Sequence, residues 1–134
     1  MTKLYQKLLK PDFSPEEMAR GVNDALLLPS ENKRKDILRS VFSFLDLTSL
    51  NTTDNSRIIK SFAGKVNLFN RHYPDMKNVA AICVFPNFVQ PAIEGLGGCG
   101  VRLAVVSASF PTAQTFLEIK MYETEIAVRN GADE

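Results

Sequence analysis

Asp46, Thr48 and Cys83 are the side chains of this sequence whose types and spacing could do chemistry together. Asp46 and Thr48 stand two apart in Phe44-Leu45-Asp46-Leu47-Thr48-Ser49-Leu50-Asn51. In an extended segment alternate residues share a face, so Phe44, Asp46 and Thr48 point one way while Leu45 and Leu47 point the other. A carboxylate in so apolar a stretch is expected to be buried. There it either orients a bound water or a reacting amine, or is a structural acid held by backbone or by Thr48. Cys83 lies in Val79-Ala80-Ala81-Ile82-Cys83-Val84-Phe85 and shares a face with Val79 and Ala81. A thiol in such a run lines a pocket more readily than it attacks a substrate, because nothing nearby lowers its pKa. His72, the single histidine, precedes Tyr73-Pro74 and reads as a residue at a helix end rather than a general base.

The elements that would carry these residues follow from cap signals and hydrophobic spacing. Ser14-Pro15-Glu16-Glu17 starts a helix, with a hydroxyl at the cap, proline at the first helical position and a glutamate three residues on. Met18, Val22, Ala25 and Leu26 keep helical spacing as far as Leu28, and Pro29 stops it. Ser30 caps a second helix with the stripe Ile37, Leu38, Val41 and Phe42 behind the charged run Lys33-Arg34-Lys35-Asp36, which is a solvated face. After the Phe44–Asn51 stretch, Thr52-Thr53-Asp54 reads as the cap of a third helix, with Ile58, Ile59, Phe62, Val66 and Phe69 facing a sheet. Val79–Phe85 is continuously apolar up to Pro86, the mark of a parallel strand covered on both faces. A short helix through Pro91-Ala92-Ile93-Glu94 is broken by the Gly95–Gly100 cluster, which lacks the spacing of a phosphate loop. A third strand, Val101–Val106, leads to a last helix starting near Thr112 or Ala113. That helix buries Phe116, Ile119, Tyr122 and Ile126, pairs Glu125 with Arg129, and stops at Asn130-Gly131.

Composition narrows the class. The chain has 134 residues, 45% apolar and 23% charged, with Lys plus Arg 16 against Asp plus Glu 15, so it has the size of one domain and no net field to draw it to nucleic acid or a membrane. No run approaches a signal peptide or a membrane span, and a cytoplasmic location is expected. Cys83 and Cys99 form no disulfide or metal pattern, so thiols and no metal or cofactor are expected. Alternating strands and helices imply a parallel α/β sheet built from right-handed crossovers.

Leu45-Asp46-Leu47-Thr48-Ser49-Leu50-Asn51, the block from Val79 through Phe85 to Pro86-Asn87-Phe88, and Asn130-Gly131-Ala132-Asp133-Glu134 together resemble deoxyribose-phosphate aldolase, with Phe110-Pro111 matching a fourth block. The blocks come in that family's order over Phe44 to Glu134, and residues 1–41 are similar to the helical leader of some members. What the resemblance implies is a partial TIM (β/α)8 barrel, about three βα units over 42–134, where a whole barrel takes about 250 residues. The family reversibly cleaves 2-deoxyribose 5-phosphate to glyceraldehyde 3-phosphate and acetaldehyde through a Schiff base on a lysine, without a metal. Its lysines, phosphate site and catalytic aspartate would fall beyond Glu134, so the fragment alone is expected to be inactive, and a dimer is expected of the complete protein. Asp46 would take a supporting catalytic role, and Thr48, Leu50 and Cys83 would line the substrate pocket.

The lysines agree with that expectation on physical grounds. A Schiff-base amine should project from the carboxyl end of an apolar strand, where burial or a neighbouring cation lowers its pKa. Lys60, Lys65 and Lys120 fall on helices, Lys77 precedes the second strand, and Lys3, Lys7, Lys10, Lys33 and Lys35 belong to the leader. Many members follow Phe-Pro with a residue and then glycine, whereas Ala113 stands here, and it lacks glycine's backbone freedom. The alternative is a small open α/β domain that binds a ligand or partner at the carboxyl edge of its strands, without chemistry.

Overall fold

The computed structural model describes residues 14–26 and 34–134. Helix α1 spans Pro15–Leu26. Its capping box is formed as the sequence predicts: the Glu17 N–H donates to Ser14 Oγ at 3.1 Å and the Ser14 N–H to Glu17 Oε2 at 2.7 Å. Two of the four orphan donors at the helix start are thereby satisfied. The expected continuation to Leu28, the stop at Pro29, the Ser30 cap and Lys33 lie outside the described residues, as do Lys3, Lys7 and Lys10.

Helix α2, Lys35–Phe42, carries the exposed end of the charged run, with Arg34 and Asp36 paired at 2.7 Å in solvent. From Leu38 to Glu134 the chain forms one compact unit. Its elements are β1 (Asp46–Thr48), α3 (Ser56–His72), β2 (Ala81–Val84), a 3-10 turn (Pro86–Phe88), α4 (Val89–Leu96), β3 (Arg102–Val105) and α5 (Leu117–Arg129). The strands form a parallel sheet in the order β1-β2-β3, as the alternation implies.

The core lies between one face of this sheet and helices α3 and α4. Ile82, Val84 and Leu103 from the strands meet Ile59, Ala63 and Val66 from α3 and Val89, Ala92 and Leu96 from α4, with Ile59 fully buried. The two helices touch at Gly95. A Cβ there would lie 2.5 Å from the Lys60 carbonyl oxygen and 2.6 Å from Ala63 Cβ. Gly95 is therefore a close-packing residue inside α4, not the helix breaker that the glycine cluster suggests. The helix ends at Gly97, whose φ of 54° gives the left-handed cap.

Four other local expectations are revised. Strand β1 begins at Asp46 rather than Phe44, because the N–H groups of Ser43, Phe44 and Leu45 still bond carbonyls at the end of α2. The cap of α3 is Asn55, whose side chain accepts the Ile58 N–H at 3.1 Å, and Thr52-Thr53-Asp54 belongs to the preceding loop. Ile58 on the α3 stripe is exposed, while Ala63 is buried in its place. Helix α5 starts at Leu117, not near Thr112. Ala108, Ser109 and Ala113 hold φ of 58°, 63° and 55°, which no right-handed helix allows. Phe116 (78% exposed), Ile119 and Tyr122 are uncovered and Ile126 is half-buried, so Ala127 alone is buried on α5. The helix meets the unit along one side, across an open cleft of about 310 Å³ lined by Pro86, Val89, Gln90, Tyr122 and Ile126. The Glu125–Arg129 contact is present at 3.8 Å, and Gly131 (φ 104°) follows the helix.

Candidate active site

Strand register decides which side chains share a surface. Asp46 is aligned with Ala81 and Arg102, and Thr48 with Cys83 and Ala104. Residues aligned in a parallel sheet point to the same side, so Asp46, Thr48, Ala81, Cys83, Arg102 and Ala104 occupy one face, and Leu47, Ile82, Val84, Leu103 and Val105 the other. The second face is the core face. The first brings together three of the four residues singled out from sequence, with Thr48 directly beside Cys83 at the carboxyl end of the strands. Leu50, the fourth, is half-buried in the loop leaving that same end of β1.

The face is open. Asp46 is exposed, which corrects the expectation of a buried carboxylate: β1 is an edge strand, and an edge strand whose outer face is uncovered gives a carboxylate access to water. Among the described residues its carboxylate takes no hydrogen bond from backbone or from Thr48. The Thr48 hydroxyl reaches only the Asp46 carbonyl, at a long 3.5 Å, and is free to bind something else. Ala81 and Ala104 are buried because they are small, while Cys83 is partly open. The expectation that β2 is covered on both faces therefore holds on the helix side only. Burial pushes the Cys83 thiol above its ordinary 9.0, and the negative charge of Asp46 adds to the shift. Both effects disfavour the thiolate, as a pocket-lining role requires.

A knot of side chains fixes the loop that carries Leu50, and sequence reading missed it. Ser49 is 9% exposed, and its hydroxyl donates to Asp54 Oδ2 at 2.9 Å and accepts from Asn51 Nδ2 at 3.1 Å. The Asn51 N–H also donates to Asp54 Oδ2, at 2.9 Å. Partial burial pushes the Asp54 carboxyl up, but the hydrogen bonds from Ser49 and Asn51 outweigh this and hold it below the ordinary 3.8. The signal was present as Ser, Asn and Asp clustered after a strand, the composition of side-chain-stapled turns.

The other candidates lie elsewhere. Lys35, Lys60, Lys65 and Lys120 are on helices and Lys77 is in the loop before β2, so no lysine among the described residues projects from a strand. Lys60 pairs with Glu94 at 2.7 Å on the surface. His72 ends α3 with Nδ1 3.0 Å from the Leu68 carbonyl, bonded to its own helix as its position suggests. Among the described residues no three His, Cys, Asp or Glu side chains converge to hold a metal, and no helix is long and apolar enough to cross a membrane.

No family model matches the chain. The deoxyribose-phosphate aldolase of Homo sapiens is 34% identical over 109 residues, which are 73% of this chain and 34% of that protein. That of Streptococcus gordonii is 46% identical over 55 residues, 41% of this chain and 24% of that protein. Among solved structures, the tetrameric deoxyribose phosphate aldolase from Aeropyrum pernix superposes with a TM-score of 0.58 at 22% identity, over 75% of this chain and 39% of that one. The chain thus spans about a third of the length of the mammalian relatives it matches.

Proposed function

Because this chain is a relative of the deoxyribose-phosphate aldolases over part of their length, we propose that it supplies one wall of a Schiff-base aldolase pocket and not the amine that reacts there. In this reading residues 42–134 are the first three βα units of a (β/α)8 barrel and 1–41 a helical leader. The open sheet face becomes the barrel interior. The complete protein is a cytoplasmic lyase, a dimer, that reversibly splits 2-deoxyribose 5-phosphate into glyceraldehyde 3-phosphate and acetaldehyde. The lysine that condenses with the sugar aldehyde, losing water, comes from outside this chain. Asp46 orients that lysine or a bound water, Thr48 and Leu50 contact the sugar chain, and Cys83 lines the floor as a neutral thiol. No metal or cofactor takes part.

The observation that carries the reading is the register. Asp46, Thr48 and Cys83 share one open face at the strands' carboxyl end, where parallel α/β folds place their sites. Two measurements test it. Borohydride treatment of the chain with acetaldehyde yields no covalent adduct, and an adduct on any of its lysines would overturn the assignment of the amine to other strands. A chimera carrying residues 44–134 in place of the matched segment of the human relative turns over the sugar phosphate, and Asp46→Ala in it lowers kcat by about ten- to a hundredfold, the scale of a misplaced reacting group. Unchanged turnover in that variant would remove Asp46 from the site.

A further inference from the structure

The two edges of the sheet are finished differently. Beside β3 lie Asp133 and Glu134: the Asp133 N–H donates to the Leu103 carbonyl at 2.8 Å, the Val105 N–H donates to the Glu134 carbonyl at 2.9 Å, and the Asp133 carboxylate accepts the Leu103 N–H at 2.8 Å. This segment already occupies the place of a fourth strand. The β1 edge has no such neighbour among the described residues. The Leu45 carbonyl and the Ser49 N–H bond β2, each at 2.9 Å, so by the alternation of a parallel ladder the backbone N–H and C=O groups of Asp46 and Thr48 face outward. No proline, bulge or lysine within β1 blunts this edge. Next to it, on the helix side, an apolar groove of about 200 Å³ is formed by Phe42, Leu47, Phe62, Val66, Phe69 and Val79. Leu47 is 42% exposed there, although it points to the same side as the fully buried Ile82.

We propose that the β1 edge and this groove are a docking surface for a strand–helix unit carried on a second polypeptide, one corresponding to the portion of the aldolase relatives that this chain does not match. The strand adds in parallel to β1, satisfying the outward groups of Asp46 and Thr48, and an apolar helix side fills the groove over Leu47. This rests on the function proposed above. The occupant follows from three observations. The human relative is 34% matched, so the larger part of its length lies outside this alignment. The sheet is wholly parallel, and parallel strands arrive with a crossover helix, which is what an apolar groove beside an open edge receives. A second copy of this chain fits less well: its β3 edge is taken by Asp133 and Glu134, and a twofold pairing of two β1 edges is antiparallel and sets groove against groove.

The test mixes the 134-residue chain with a separately prepared polypeptide covering the longest unmatched portion of the human relative. A 1:1 complex is expected by light scattering, with at least tenfold slower amide exchange at Asp46 and Thr48 in the mixture. Leu47→Asp weakens the complex at least tenfold, while Ile119→Asp on α5 leaves it unchanged. The exchange readout on the unsubstituted chain holds even where Leu47→Asp unfolds. Absence of a complex, a complex that protects α5 alone, or self-association of the chain that protects Asp46 and Thr48 without the added polypeptide would each overturn the proposal. A complex that forms but traps no borohydride adduct with acetaldehyde would leave the docking surface standing and count against the aldolase reading. Turnover by the chimera without a complex in the mixture would do the reverse.

Discussion

The two faces of the sheet are built from the same three strands, yet one is closed and the other is not. On the helix side, Ile82, Val84 and Leu103 are sealed by Ile59, Ala63 and Ala92, with Gly95 letting α4 lie against the backbone of α3. On the other side, Asp46, Thr48 and Arg102 are exposed and Cys83 is half open. Stability is concentrated on the first face and polar groups able to act on a ligand on the second. Substitutions on the two should therefore separate cleanly, and the largest effects belong to the closed face. Ile82→Ala removes a fully buried side chain and is expected to cost about 2–5 kcal/mol, and Gly95→Ala about 1–3 kcal/mol because the helices must part. Asp46→Ala and Thr48→Ala, made in the same chain, should stay within about 0.5 kcal/mol. Urea unfolding checks all four, and a loss above about 2 kcal/mol for Asp46→Ala would mean that the open face is structural after all.

How much of this could be read in advance follows the same division. The closed face was legible because burial imposes a pattern: Val79–Phe85 and Val101–Val106 announce strands, and the Ile59–Val66 spacing announces the helix over them. The grouping of Asp46, Thr48 and Cys83 was legible too, since period-2 alternation assigns faces before register is known. Burial of Asp46 was not legible. It depends on what lies across from β1, and apolar neighbours in sequence are not neighbours in space. Helix α5 failed for a related reason. Phe116, Ile119 and Tyr122 were assigned to a core on hydrophobicity alone, whereas the helix touches the unit along one side and leaves them exposed. The Gly95 reading failed because composition marks a glycine as a breaker and cannot show a backbone carbonyl 2.5 Å from its missing Cβ.

A smaller effect distinguishes the loops that leave the two ends of the comparison. The β1 loop is stapled by the Asp54 carboxylate, whose pKa is depressed in the folded state. The sign follows directly. A depressed carboxylate binds fewer protons folded than unfolded, so its stabilisation is fully present above the unfolded value near 4 and fades as pH falls through the lower folded value. Thermal melts of the chain should therefore weaken below about pH 4, and Asp54→Asn should flatten that part of the profile while leaving melts near pH 7 as the reference. An identical acid slope in the variant would show that the staple does not hold the loop.

The loop after β3 carries the opposite arrangement, strain without a staple at its centre. Ala113 holds φ of 55°, where a Cβ crowds the following carbonyl and costs about 1–2 kcal/mol relative to glycine. Against this, glycine adds freedom to the unfolded chain worth about 0.4–1 kcal/mol. The difference leaves a net gain of about 0.5–1 kcal/mol for Ala113→Gly, the smallest change predicted and the only stabilising one. The left-handed turn is already set by the backbone, since the Ala113 N–H donates to the Ser109 carbonyl at 2.9 Å and the Glu123 carboxylate holds the Ser109 N–H at the same distance. Glycine therefore relieves strain without changing the path. A raised urea midpoint with unchanged slope is the expected result; a lowered midpoint would mean that the loop leaves the left-handed region in solution and that the alanine is not strained there.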